Sequence, residues 1–118
     1  VAGLQEALRC SPGRATAEAL PWGDAAAVGE VCRRHFGAAH ADVVLCSDCL
    51  YTNWSEDIGA ALAETVAAAL SPQGGGRALI AYTPRCELHE ARFLDYAQRL
   101  GLTCSALEPP AASEVAKS

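Results

Sequence analysis

Residues Asp42–Tyr51 read DVVLCSDCLY, and this stretch decides the fold class. From Val43 to Cys46 the run is continuously apolar and carries two β-branched valines. That pattern predicts a strand covered on both faces, the usual condition of a parallel sheet. The same ten residues carry the candidate chemistry. Cys46 and Cys49 stand in C-x-x-C spacing, that of a redox couple or half a zinc site. Asp48 and Tyr51 stand in D-x-x-Y spacing just past the strand. In open α/β sheets ligands bind beyond the carboxyl ends of the strands, and Asp48 falls there.

Working downstream, Ser55 is a candidate N-cap, with Glu56 and Asp57 in the first turn of the helix it opens. Ile58, Leu62, Val66 and Leu70 follow four residues apart, a helical stripe that ends at Ser71-Pro72. Gln73–Gly76 reads as a turn and Ala78–Tyr82 as a second buried strand. Leu88–Leu100 is a further helix, with Phe93, Ala97 and Leu100 on one face and Gly101 as its stop. Leu102–Leu107 reads as a last strand and Glu108–Ser118 as a tail or incomplete loop. Upstream, Val28, Val31/Cys32 and His35/Phe36 set a helix over Ala25–Phe36, closed by Gly37. Pro21–Asp24 is a turn and Ala15–Leu20 a short strand. Leu4–Cys10 has the pattern of the last turns of a helix, stopped by Ser11-Pro12-Gly13. Strands alternate with helices, so the class is α/β with a parallel sheet. Residues 1–107 form its one domain.

The bulk composition narrows the function. A chain of 118 residues holds one domain at most. Hydrophobic residues make up 51% of it, but much of that is alanine and aromatics are only 6%, so the core is thin. Apolar burial stabilises by roughly 25 cal/mol per Å², and alanine offers little area. The net charge is −5 and the only basic doublet is Arg33-Arg34, so nucleic acid is not an expected partner. No apolar run approaches a membrane span, and no signal peptide is visible at the N-terminus. The chain contains no Met and starts at Val1, which is expected of a processed product, an excised piece or a partial sequence. Of six cysteines, Cys32, Cys46 and Cys104 sit inside helix- or strand-like patterns rather than loops. This fits a reducing, intracellular setting, in the cytoplasm or nucleus.

Four candidate sites emerge. Cys32-x-x-His35 and Cys46-x-x-Cys49 supply four soft ligands, but zinc needs them to converge tetrahedrally. In regular extended geometry Cys46 and Cys49 point to opposite faces. The strand would have to break at Ser47 for both to turn inward, so packing is expected before zinc. A redox pair needs its first thiol at a helix N-terminus, whereas this pair precedes the helix start and flanks an acidic residue. Asp48 and Tyr51 are stronger candidates: a carboxylate at a strand end can orient an amine, with a phenol beside it. The competing reading is that Asp48 caps local backbone and Tyr51 packs. Trp22, between Pro21 and Gly23, offers a flat face for a purine base, or else plugs the sheet edge.

In order along the chain, LPWG (Leu20–Gly23), DVVLCSDCLY (Asp42–Tyr51), a long helix, YTPR (Tyr82–Arg85) and EARFL (Glu90–Leu94) resemble one family. It is the seven-β-strand S-adenosylmethionine-dependent protein-lysine methyltransferases, of the methyltransferase family 16 type. That group's hallmarks are L-x-W-G after its third strand and D-x-x-Y after its fourth, fairly specific together and weak singly. The resemblance spans about residues 1–107 and matches only the C-terminal half of the family's domain. It implies a partial Rossmann-like methyltransferase sheet lacking the first two strands and the last. The implied cofactor is S-adenosylmethionine, and the implied acceptor is a lysine side chain, or another nitrogen, of a protein substrate. On this likeness Trp22 stacks against adenine and Ser47 lies against the cofactor. Asp48 and Tyr51 line the acceptor channel as the catalytic pair. The family's Gly-rich loop and ribose-binding acidic residue have no counterpart, since Gly74-Gly75-Gly76 precedes a strand. The family's sheet order is 3-2-1-4-5-7-6, and this chain supplies look-alikes of strands 3, 4, 5 and 6, of which only 4 and 5 are neighbours. The expectation is therefore a fragment of such an N-methyltransferase. The alternative is a catalytically inactive methyltransferase-like remnant acting as a protein-interaction module, or a chain whose strands close up in a new order.

Overall fold

The computed structural model describes residue 13 and residues 15–50, 57–83 and 87–107. Among them the elements run α1 (Ala25–Phe36), β1 (Val43–Ser47), α2 (Ile58–Ala69), β2 (Arg77–Ala81) and α3 (Glu87–Arg99). The fold is α/β, with β1 and β2 paired in parallel from Val43↔Arg77 to Ser47↔Ala81.

Local chemistry satisfies loose backbone groups at both ends of α1, at the start of α2 and at the end of α3. Asp24 caps α1, its Oδ1 accepting the Ala27 N–H at 3.0 Å, and Gly37 closes it in the left-handed region at φ 72°. Asp57, not Ser55, caps α2, accepting the Ala60 N–H at 3.1 Å; Ser55 and Glu56 lie outside the described residues. Past α3, the Leu102 N–H reaches the Ala97 carbonyl at 2.9 Å and the Gly101 N–H reaches that of Gln98 at 3.1 Å. With Gly101 at φ 89° this is a Schellman stop.

The core lies on one side of the sheet. Ile58, Leu62, Val66 and Leu70 are all buried, as their spacing predicts, and pack with Phe93 and Ala97 of α3. Val44, Cys46, Ala78 and Ile80 close this cluster from the sheet. Val28 and Cys32 of α1 pack against Ala69, with Leu20 and Val44 alongside. All three helices therefore cover the same face of the strands. Phe36 and Leu100, expected on buried faces, are exposed.

The opposite face corrects the reading of β1 and β2 as strands covered on both sides. Val43, Leu45 and Leu79 project from it with 57%, 74% and 49% of their surface open. A continuous apolar run records that a strand can be covered twice, not that the second cover is present. Two further expected strands join no ladder. Ala15–Leu20 lies along α1, where Thr16 meets His35 at 3.4 Å and Glu18 pairs with Arg34 and His35. Leu102–Leu107 is non-helical and unladdered, anchored to the core by Leu102. The expected helix at Leu4–Cys10 and the tail at 108–118 lie outside the described residues. No helix among the described residues is long and apolar enough to cross a membrane.

Candidate functional site

The carboxyl ends of β1 and β2 bring the first candidate residues together. Ser47 is the last residue of β1, registered against Ala81. Asp48 follows it with its N–H donating to the Ala81 carbonyl at 2.7 Å, so the ladder holds the residue in place. Asp48 has φ 54°, the only non-glycine residue with positive φ among those described. Aspartate tolerates this region better than most residues, because its short polar chain can bond locally. Both Ser47 and Asp48 are exposed. Tyr51, the other half of the D-x-x-Y pair, lies outside the described residues.

The bend at Asp48 overturns the expectation that Cys46 and Cys49 face opposite ways. Both pack against the same core cluster beneath the strand ends. The Cys49 thiol donates to the Ser47 carbonyl at 3.6 Å. Burial, then the neighbouring Cys49 sulfur, pushes the Cys46 thiol up to about 11. Cys32 belongs to the other cluster, beside Val28 and Ala69, and His35 bonds to Glu18. Among the described residues no three His, Cys, Asp or Glu side chains converge as metal ligands would.

Two further groups gather near these strand ends. Tyr82 is the first residue past β2, as Asp48 is past β1. The neighbouring Glu90 carboxylate, with burial, pushes its phenol up to about 12. The phenol is therefore a standing donor at neutral pH. At the start of α2, the Asp57 carboxylate caps the helix and pairs with Arg92 of α3. Burial works to raise this carboxyl, but Arg92, the Ala60 N–H and nearby His89 together outweigh it and hold it below the usual value of 3.8. His89 Nδ1 is buried with no hydrogen-bond partner among the described residues. Tyr82 and Glu90 were visible in the sequence only as parts of YTPR and EARFL. The signal that finds them is positional: Tyr82 ends an apolar run, as Asp48 does.

Trp22 is held elsewhere. It occupies the turn before α1, with 38% of its surface open. Gly23, at φ 85°, fixes that turn to α2 by donating its N–H to Thr65 Oγ1 at 2.8 Å. Trp22 is thus tied to the α1–α2 layer, whereas Ser47 and Asp48 are tied to β2.

No protein-family model matches the chain, and no curated protein or solved structure matches it significantly.

Proposed function

We propose that this chain is the C-terminal half of a Rossmann-like, S-adenosylmethionine-dependent N-methyltransferase domain that acts on lysine in a protein substrate. The observation that carries this reading is Asp48, an exposed acidic residue at the carboxyl end of a parallel strand, its backbone N–H donating to the Ala81 carbonyl. The one-sided packing of the three described helices supports it, because a sheet of this class needs a second helical layer on its other face.

The described residues fit the cofactor in part. Trp22 keeps enough open surface to stack on a purine, and Ser47 stands at the strand end where a ligand would pass. Among the described residues no glycine-rich loop follows a strand, and no acidic residue directly follows β2. When bound, the cofactor supplies a methyl group activated on sulfonium. Asp48 then attracts the cationic lysine and orients its amine once a proton has left to solvent, a gain from positioning rather than from base chemistry. Tyr82, its phenol pushed up by Glu90, stays neutral and serves as a wall of the channel rather than a proton acceptor.

Calorimetric titration of S-adenosylhomocysteine into the 118-residue chain, alongside Trp22→Ala, tests the cofactor contact. The expected result is saturable heat that the substitution weakens by about tenfold or more, equivalent to about 1.4 kcal/mol. A folded chain that gives no heat would overturn the role of Trp22 and favour the catalytically inactive interaction module.

A further inference from the structure

The sequence alone placed Cys46 and Cys49 on opposite sides of a strand; the fold places both against one core cluster. Three features produce that placement. The chain bends at Asp48, whose left-handed conformation at φ 54° turns Cys49 back beneath the strand end. Cys46 is on the inward face of β1 and Cys49 on the same core cluster. Cys49 Sγ is steered by the Ser47 carbonyl, to which it donates at 3.6 Å. A disulfide needs its two Cβ atoms within about 3.5–4.5 Å of each other. Two cysteines three residues apart across one bend and packed on one cluster need little backbone movement to meet that condition.

We propose that Cys46 and Cys49 form a reversible intramolecular disulfide with glutathione disulfide, or a comparable small disulfide, as the oxidant. The Cys49 thiolate attacks one sulfur of glutathione disulfide, making a Cys49–glutathione bond and releasing one glutathione thiolate. Cys46 then loses its proton to solvent and attacks the Cys49 sulfur, closing the protein disulfide and expelling the second glutathione. Two protein thiols are oxidised, and one glutathione disulfide is reduced to two glutathiones. Both thiols are half-buried, but Cys46 is held within the β1 ladder and Cys49 lies in the loop past it, so the first attack falls to Cys49 and Cys46 resolves the mixed disulfide. This differs from a fast oxidoreductase, which needs a low-pKa leading thiol. The pair is a slow, local switch.

Closure ties residue 46 to residue 49 around Ser47 and Asp48, and fixes the carboxylate that follows β1. That Asp48 orients an amine rests on the proposed function; the disulfide itself does not.

The sequence makes the test clean. Trypsin releases His35–Arg77 as one peptide holding Cys46 and Cys49 and no other cysteine. The native chain is equilibrated in glutathione redox buffers, quenched by alkylation, digested and weighed. The expected result is that both cysteines of this peptide are lost to alkylation together, with no glutathione retained. The equilibrium constant should favour closure at least about tenfold more in the native chain than in urea, a difference of about 30 mV. Cys46→Ser should stop at glutathione on Cys49, whereas Cys49→Ser should leave Cys46 reduced. Glutathione retained on Cys49 in the wild-type chain, a partner other than Cys46, or equal closure in native buffer and urea would each overturn the proposal. Calorimetry with S-adenosylhomocysteine reads the functional proposal separately, so the two can fail independently.

Discussion

Asp48 concentrates the tension between structure and chemistry in one residue. An L-residue in the left-handed region costs roughly 1–2 kcal/mol, a cost that aspartate partly offsets by local hydrogen bonding. Asp48→Gly removes the carboxylate but also the backbone cost, so stability should change by no more than about 1 kcal/mol. Asp48→Val keeps the conformation and adds a branched side chain, and should destabilise by roughly 1–2 kcal/mol more than glycine. Urea denaturation of the pair distinguishes the two effects. Equal losses would mean that the carboxylate's own bonds, not backbone geometry, hold the bend. Asp57 offers the complementary case, a carboxylate whose job is structural. Its folded pKa is lowered, so its contribution to stability is full above the ordinary value of 3.8 and is lost as pH falls through the lower folded value. Asp57→Ala should cost about 1 kcal/mol near pH 7 through loss of the cap. The gap between variant and wild type should close in acid denaturation below the ordinary carboxylate range. A gap that persists there would assign the loss to packing instead.

Between elements, α2 and α3 cross closely at Gly59. A Cβ on Gly59 would sit 2.5 Å from the His89 carbonyl oxygen and 2.8 Å from the Phe93 amide nitrogen. Both are backbone atoms, so the helices would have to separate. Alanine improves helix propensity by up to about 1 kcal/mol, but overpacking costs about 1–3 kcal/mol. Gly59→Ala should therefore be net destabilising, measured by thermal or urea unfolding; a stabilised variant would mean that the crossing yields easily. Nothing in the sequence marked Gly59, because a close approach depends on the helix it meets. The helices themselves were legible: Ile58, Leu62, Val66 and Leu70 declare their shared face through local spacing. Caps were harder, since Ser55 and Asp57 both suit the role and hydrogen-bond geometry chose Asp57. Strands were legible only as extended segments. Val43–Ser47 and Arg77–Ala81 found each other, whereas Ala15–Leu20 and Leu102–Leu107 join no ladder. A ladder needs a partner, and the partner is not written in the strand. The same limit governs the candidate site. Asp48 and Ser47 could be placed from the end of an apolar run, but the shared packing of Cys46 and Cys49 depends on one backbone angle.

Across the molecule, the decisive feature is the face of the two-stranded sheet that no described helix covers. Leu45, the most exposed of its apolar residues, follows Val44, which touches both core clusters, so neighbours in one strand have opposite fates. Exposed apolar surface beside open strand edges favours association. A two-stranded parallel sheet is also a marginal unit by itself. These facts predict a contrast that separates the two faces. Leu45→Thr with Leu79→Thr keeps β-forming residues while making the bare face polar. Stability should stay within about 0.5 kcal/mol per site, as for surface changes generally. Self-association should fall in sedimentation velocity. Leu62→Ala, on the covered side, should cost about 2–5 kcal/mol. If the double threonine variant instead lost several kcal/mol, the bare face would be covered in solution by part of this chain. The one-sided architecture, and its use as support for a missing half-domain, would then be wrong. If the contrast holds, the sheet is a folded half-sandwich with one apolar side left over. The methyl-transfer reading then makes a further demand: S-adenosylhomocysteine should bind more tightly when a covering layer is supplied in the same polypeptide than to the 118-residue chain alone.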